Sequence, residues 1–166
     1  SAKSLKDFAN GHEYFGFHKT GKGWYYREWA PGADMLFVMG DMNDDPDNAS
    51  MAQCLGAKRK IKEVEKGDFY NPWWDVLRKK GQGTLSYQGA WNLFDQIVMG
   101  HSLVENHKSS SYPILTLHSY QIFKRPYLFQ TEGAYKGTPK RTHSRGVWLD
   151  GYSDHLPVVV YFVKDI

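Results

Sequence analysis

Cysteine is nearly absent: Cys54 stands alone, so no intrachain disulfide is available and stability must come from a packed core. Its surroundings, Ser50-Met51-Ala52-Gln53-Cys54-Leu55, predict a short helix with a buried thiol rather than a nucleophile. No apolar run approaches the roughly 18–20 residues that cross a bilayer, so no membrane span is expected. No methionine precedes Met35, and the sequence starts at Ser1. A soluble protein is expected, either cytoplasmic or secreted after signal removal. No glycine-rich loop with a following lysine is present, since Gly81-Gln82-Gly83 is too short to cradle a phosphate. Internal repeats and low-complexity tracts are also missing. Charge of one sign is weak: 21 Lys and Arg oppose 18 Asp and Glu, a net +3 that falls short of what a duplex-binding nuclease would carry.

Aromatic residues are the surplus. The 166 residues suffice for one domain with a real core, and 16% of them are Phe, Trp or Tyr. That favours a sheet-rich fold or surfaces that stack on flat ligands. Charge is also unevenly spread. Residues 41–50 hold Asp41, Asp44, Asp45 and Asp47 without Lys or Arg, whereas 133–149 hold Lys136, Lys140, Arg141 and Arg145 without Asp or Glu. An acidic pocket and a basic loop in one chain suit a divalent cation and an anionic substrate, although two solvated loops would look the same.

Local pattern predicts the elements. Glu13–His18 and Gly23–Trp29 read as aromatic strands joined through Lys19-Thr20-Gly21-Lys22. Met35–Met39 is a continuous apolar run suited to burial on both faces, ending at Gly40-Asp41. A helical stretch near Asn48–Leu55 precedes the basic patch Lys58-Arg59-Lys60. Pro72 opens a helix through Lys80, with Gly81 as its stop. Gly83–Tyr87 and Trp91–Val98 pair around Gln88-Gly89, and His107–Ser111 is a polar turn. Ile114–Leu117 and Tyr120–Phe123 are weaker apolar segments. Residues 130–146 form a long loop without periodic pattern, functional or disordered. Leu156–Val163 closes the chain as a second buried-type strand.

Several motifs fail on inspection. Asp41-x-Asn43-x-Asp45 opens like a calcium loop, but Pro46 and Ala52 occupy the positions that need Gly and Glu. His12-Glu13 lacks the second His of a zinc protease, because Gly16 stands there. Gly151-Tyr152-Ser153-Asp154-His155 lacks the final Gly of a nucleophile elbow. Two stretches survive, each at the edge of a buried-type strand: Gly40–Pro46 and Ser153–Pro157. If those strands are antiparallel neighbours, Asp41, Asn43, Asp154 and His155 converge at one end of a sheet. Such a set suits metal-assisted phosphoester hydrolysis: one carboxylate holds Mg²⁺ or Mn²⁺, another orients water, and Asn and His donate to the charged transition state. A His in this role needs a carboxylate behind it to fix its tautomer, and Asp95 is the candidate, with a hydrogen-bonded strand-end residue as the alternative.

Gly40-Asp41-Met42-Asn43-Asp44-Asp45-Pro46, Phe94-Asp95-Gln96-Ile97 and Ser153-Asp154-His155-Leu156-Pro157-Val158 together resemble the carboxyl-terminal half of the endonuclease/exonuclease/phosphatase superfamily. That superfamily includes pancreatic-type deoxyribonucleases, apurinic endonucleases, sphingomyelinases and inositol-phosphate phosphatases. The likeness runs in order over residues 34–166 and includes Tyr70-Asn71-Pro72, Gly83-Thr84 and Gly137–Thr142. It implies an α/β (α+β) fold: half of a four-layer α/β sandwich, a mixed sheet with helices on one face, preceded by the aromatic β-hairpin. It also implies that Asp41 orients the attacking water and Asn43 contacts the phosphate. By the same resemblance Asp154 binds the metal, and His155, paired with Asp95, stabilises the pentacovalent phosphorus. Lys140 and Arg141 are candidates for holding a substrate phosphate.

Residues 1–33 do not supply the amino-terminal half of that family, which contributes an Asn, a metal-binding Glu and another His. Instead Leu5–His18, Gly23-Trp24 and Arg27-Glu28-Trp29-Ala30-Pro31 resemble the opening β-module of glycogen branching enzymes. The expected organisation is therefore a hairpin segment at 1–33 joined to a partial family domain at 34–166, as in a gene fusion. The expected function is a metal-dependent phosphodiesterase, nuclease or phosphatase, with an incomplete site as a consequence of the missing half. Nucleic acid, a phospholipid head group and a sugar phosphate all remain open as substrates. The alternative is a non-catalytic module that binds glucan or forms a homodimer through open sheet edges.

Overall fold

In a computed structural model of the chain, residues 16–21, 23–27, 33, 35–105 and 115–164 are described. The chain divides into two compact units, Ser1–Asp34 and Met35–Ile166. In the first, β1 (Gly16–Thr20) and β2 (Gly23–Arg27) form an antiparallel hairpin with Thr20 opposite Gly23. The predicted start of the first strand at 13–15 and the end of the second at 28–29 lie outside the described residues.

The larger unit is mixed α/β, strand-rich, with one short α-helix among the described residues and several small antiparallel sheets. Its central element is β7 (Asp95–Gly100), which pairs antiparallel with β3 (Phe37–Asp41) on one side and β4 (Phe69–Tyr70) on the other. The sheet order β3-β7-β4 leaves β3 at an edge. The expected burial of Met35–Met39 on both faces therefore does not occur: Phe37 and Met39 are 48% and 63% exposed, and only Val38 is half-buried. Nor does β3 neighbour the final strand, β11 (Val158–Lys164). That strand pairs with β8 (Leu115–Ile122), with a bulge between Tyr161 and Phe162, and it is half-buried to exposed. The two apolar segments predicted around 114–123 are one continuous strand: Leu115 and Leu117 pack on one core cluster and Tyr120 and Ile122 on another, the alternation shifting by one residue at His118, where the register with β11 slips. The polar turn predicted at His107–Ser111 lies outside the described residues.

The helix predicted after Pro72 forms as α1 (Trp73–Arg78), with Pro72 at its N-cap and Gly81 in the left-handed region at φ +61°. Trp73 is fully buried, and its indole N–H donates to the Ile97 carbonyl at 2.9 Å, which pins α1 to β7. Trp73, Val76, Leu77, Leu93, Ile122, Leu128 and Leu156 form one core cluster, against which Ile97 and Val160 pack. The predicted strand over Trp91–Val98 splits into β6 (Ala90–Asn92) and β7, since Leu93 donates its N–H to Asp45 Oδ1 instead of a ladder partner. β5 (Leu85–Tyr87) and β6 meet through Gln88 and Gly89, both at positive φ, as a tight hairpin requires.

Two further expectations change. Ser50–Cys54 forms a wide single turn, closed by the Leu55 N–H on the Ser50 carbonyl, rather than an α-helix. The wider turn carries Cys54 off the face that buries Met51, and the thiol is exposed. Residues 130–146 are neither structureless nor isolated. Gln130 and Gly137 exchange backbone bonds with their neighbours, and β9 (His143–Ser144) and β10 (Val147–Trp148) form a hairpin over Arg145 and Gly146. None of the helices among the described residues is long and apolar enough to cross a membrane.

Candidate active site

Asp41 ends β3 and Asp95 begins β7, and the antiparallel register sets them directly opposite each other. His155 arrives from the segment before β11. Its Nδ1 lies 2.7 Å from Asp95 Oδ2 and 3.9 Å from Asp41 Oδ2. An ionised carboxylate only accepts, so Nδ1 carries the proton in this pair and Nε2 is left for a further contact. Asp95 and His155 are three-quarters buried, whereas Asp41 is 42% exposed, so the cluster opens to solvent on the Asp41 side. Its three ligand atoms lie within 4.8 Å of one another. The carboxylates are hard oxygen donors of the kind that suit a divalent cation such as Mg²⁺ or Mn²⁺, whereas His155 Nδ1, protonated toward Asp95, is not a ligand in this arrangement.

The scaffold behind this cluster is built from buried polar residues. Thr84 is fully buried; its carbonyl accepts from Leu156 N–H at 2.7 Å, and its hydroxyl accepts from Asp95 N–H at 3.4 Å. One residue therefore ties the strand of Asp95 to the segment of His155. Gly83 precedes it because an added Cβ would strike the backbone of Asn92. Beneath Asp95, the fully buried Gln96 accepts from Asn71 Nδ2 at 2.7 Å and donates to the carbonyls of Asp44 and Leu93. Asn71 in turn accepts the Trp73 N–H at 3.0 Å. These groups satisfy one another in place of water, which fixes the loop after β3 relative to β7.

Of the site residues expected from sequence, Asp41, Asp95 and His155 are brought together. Asn43 lies two residues beyond Asp41, exposed and at φ +51°, a conformation that Asn tolerates. Its backbone N–H donates to Asp41 Oδ1 at 2.9 Å, and its side-chain amide has no partner among the described residues. Asp154 stands beside the cluster rather than in it, half-exposed, 3.6 Å from Arg141 Nη2. Lys140 is half-buried and its ammonium has no partner among the described residues.

The acidic pocket read from composition does not form as such. Asp44 accepts from Ser50 Oγ at 2.6 Å and Asn48 Nδ2 at 3.1 Å, and Asp45 is buried against Leu93 N–H and Arg78. Asp47 takes both a 2.7 Å Nε and a 2.7 Å Nη2 contact from Arg78, and this hydrogen bonding holds its carboxyl below the usual range. Only Asp41 of the four faces the cluster. The basic patch is neutralised likewise, by Lys58–Asp68, Arg59–Asp75 and Lys60–Glu63 pairs. Thr84, Gln96, Asn71 and Asp45 received no role from sequence reasoning. Their signal was that all four stand inside stretches that carry the family resemblance, and that Asn71, Thr84 and Gln96 are polar residues beside Trp73, Leu93 and Ile97, where a core is expected.

A carboxylate–imidazole pair thus lies beside a second carboxylate, carried on strand ends and the segment before β11 of a mixed α/β domain. Residues 30–164 match the model of the Endonuclease/Exonuclease/phosphatase family, and the chain belongs to that family. At that level it carries a phosphoesterase-type hydrolase domain. The chain is also similar, over short stretches, to 1,4-alpha-glucan-branching enzymes. The one from Dictyostelium discoideum is 49% identical over 43 residues, covering 26% of this chain and 6% of that protein. The one from Equus caballus is 50% identical over 41 residues, covering 24% and 6%. The 1,4-alpha-glucan-branching enzyme 2-2, chloroplastic/amyloplastic, of Arabidopsis thaliana is 43% identical over 47 residues, covering 28% and 6%. Both resemblances read from the sequence are thus found, and the chain spans only about 6% of the length of these curated relatives. No solved structure matches the chain.

Proposed function

We propose that the unit after residue 34 hydrolyses phosphoesters with a divalent metal, as a phosphodiesterase, nuclease or phosphatase. The observation that carries this reading is the convergence of Asp41, Asp95 and His155 at one strand end. Bound Mg²⁺ or Mn²⁺ would be held by Asp154 at the rim, and it would supply Lewis-acid polarisation of the phosphoryl oxygen. Asp95 and His155 Nδ1 are already engaged with each other, so in this reading they act as a pair. Asp95 fixes the tautomer, and His155 presents Nε2 to the charged phosphorus centre. Asp41 orients the attacking water, and the free amide of Asn43 donates to a phosphate oxygen. Arg141 and Lys140 draw the anionic substrate to the rim. In the same reading the domain is half of a four-layer sandwich, with residues 1–33 a segment of other ancestry.

Purified protein assayed on bis(p-nitrophenyl) phosphate and p-nitrophenyl phosphate tests it. Turnover should require Mg²⁺ or Mn²⁺ and disappear in Asp154→Ala and in His155→Ala. No turnover together with no metal-induced rise in melting temperature would overturn the reading.

A second reading is favoured by the short branching-enzyme matches and by the exposed apolar edge at Phe37 and Met39. In it the chain is a non-catalytic module that binds glucan through the hairpin or self-associates along β3. Retention on a glucan column, lost in Trp24→Ala, or a dimer in sedimentation that dissociates in Phe37→Lys, would support it.

A further inference from the structure

A surface recess of about 280 Å³ lies between three segments of the larger unit, lined by Tyr127, Phe129, Thr131, Lys140, Asp150 and Tyr152. Its walls are pinned by backbone bonds: Lys140 N–H to Leu128, Tyr152 N–H to Lys140 and Gln130 N–H to Thr138. Gly151 crosses so near the Lys140 and Arg141 carbonyls that no Cβ fits there. Asp150 beside it holds φ +55°. Tyr127 and Tyr152 meet edge to face, 5.5 Å apart at 66°, and remain 55% and 69% exposed. Tyr135 and Trp148 on the neighbouring turns are exposed as well. Over residues 124–152 six Lys and Arg oppose two Asp and Glu, a local +4 against +3 for the whole chain. The basic excess that looked too weak for a nucleic-acid partner is therefore concentrated in the stretch of chain that lines the recess, which also carries exposed aromatic residues.

We infer that this recess binds a base of single-stranded nucleic acid next to the phosphate that is cleaved, an inference that rests on the hydrolase reading and names its substrate class. Base stacking on Tyr127 and Tyr152 is tolerant of sequence, Lys140 meets a flanking phosphate, and Asp150 accepts from a base's exocyclic amine. Tyr152 and His155 are three residues apart, so the two features lie within roughly 10 Å along the chain, the reach of one nucleotide. A rigid duplex cannot present a base to a recess without unstacking it, which makes the single strand the better fit.

The test is fluorescence anisotropy of a labelled single-stranded oligonucleotide with the full chain in EDTA, where no turnover is needed. Tyr152→Ala should weaken binding about ten-fold or more, while Tyr152→Phe keeps it, because the ring rather than the hydroxyl does the stacking. An abasic strand of equal length should bind as weakly to the wild type as the normal strand does to Tyr152→Ala. Lys140→Ala should reduce the slope of log affinity against log salt by about 0.7. Equal binding of the abasic and normal strands, or wild-type affinity in Tyr152→Ala, overturns the inference. So does affinity for phosphatidylserine vesicles with none for the oligonucleotide. Hydrolysis of bis(p-nitrophenyl) phosphate without oligonucleotide binding refutes the recess alone, whereas Tyr152-dependent binding without any phosphoester turnover refutes the hydrolase alone.

Discussion

Asp41 and Asp95 face each other across the β3–β7 ladder, and His155 stands between their carboxylates. Like charges in directly opposed cross-strand positions destabilise a sheet. The strand pair nevertheless ends on them, held by the buried Asn71–Gln96 network on one side and by Thr84 on the other. The unfavourable pair is relieved by the imidazole proton and, in the proposed function, by a bound cation, so ligand binding should stabilise this end of the sheet more than any other region.

Asp95→Asn keeps the shape of the pair but lets the side chain donate, so His155 no longer holds a fixed tautomer. Turnover of bis(p-nitrophenyl) phosphate should fall about 10²- to 10⁴-fold. The melting temperature should move by only a few degrees. A variant within about three-fold of wild type would remove Asp95 from the mechanism.

Thr84→Val conserves volume but removes the acceptor of the Asp95 N–H. A loss of about 1 kcal/mol is expected from urea unfolding, with kcat reduced and KM little changed, and Thr84→Ser should restore both. If Thr84→Ser behaves like Thr84→Val, shape rather than the hydroxyl positions the pair.

Gly151→Ala places a methyl group against two carbonyl oxygens that cannot give way, and Gly133→Ala adds one in open space at φ +73°. The first should cost about 3 kcal/mol or more, the second about 1 kcal/mol, by urea unfolding. Comparable losses would show that the 149–152 crossing yields.

The Arg78–Asp47 fork sets an acid dependence. Asp47 is held below its ordinary value, chiefly by the Arg78 hydrogen bond, so the stability that it contributes is present above pH 3.8 and lost as pH falls through the lower folded value. Arg78→Met should lower stability by about 1 kcal/mol at pH 7, and the gap from wild type should narrow below pH 3.8. A gap that is constant with pH would place the effect in the apolar stem of Arg78.

The strand-and-turn framework was legible where the sequence carries local punctuation: Pro72 and Gly81 around α1, Gln88-Gly89 between β5 and β6, and Gly40-Asp41 at the end of β3. The pairing of strands was not, because β3 and β11 are apolar alike and nothing local says that β7 lies between the two motifs. For the candidate site, Asp41, Asp95 and His155 were found because charged residues at the ends of apolar runs are conspicuous. Asp154 was placed with them on its motif at the strand edge and on the family resemblance; it lies in a bend with His155, and its carboxylate is 3.6 Å from Arg141 Nη2 at the edge of the cluster. Asp45 and Asp47 show the limit of composition: their partners, Leu93 and Arg78, are distant enough along the chain that only the fold reveals them, whereas Asp44 is bonded locally by Asn48 and Ser50.

The short run from Tyr152 to His155 has an evolutionary and engineering consequence. Because the recess and the imidazole share one backbone segment, braced at Gly151, insertions or substitutions there must shift both at once. Variation in ligand preference is instead free to accumulate on the exposed Tyr127 and Thr131, which reach the same recess from a segment that carries none of the Asp41–Asp95–His155 cluster, whereas Phe129 between them packs against the core. A library confined to those two positions would diversify what is bound while leaving the chemistry in place.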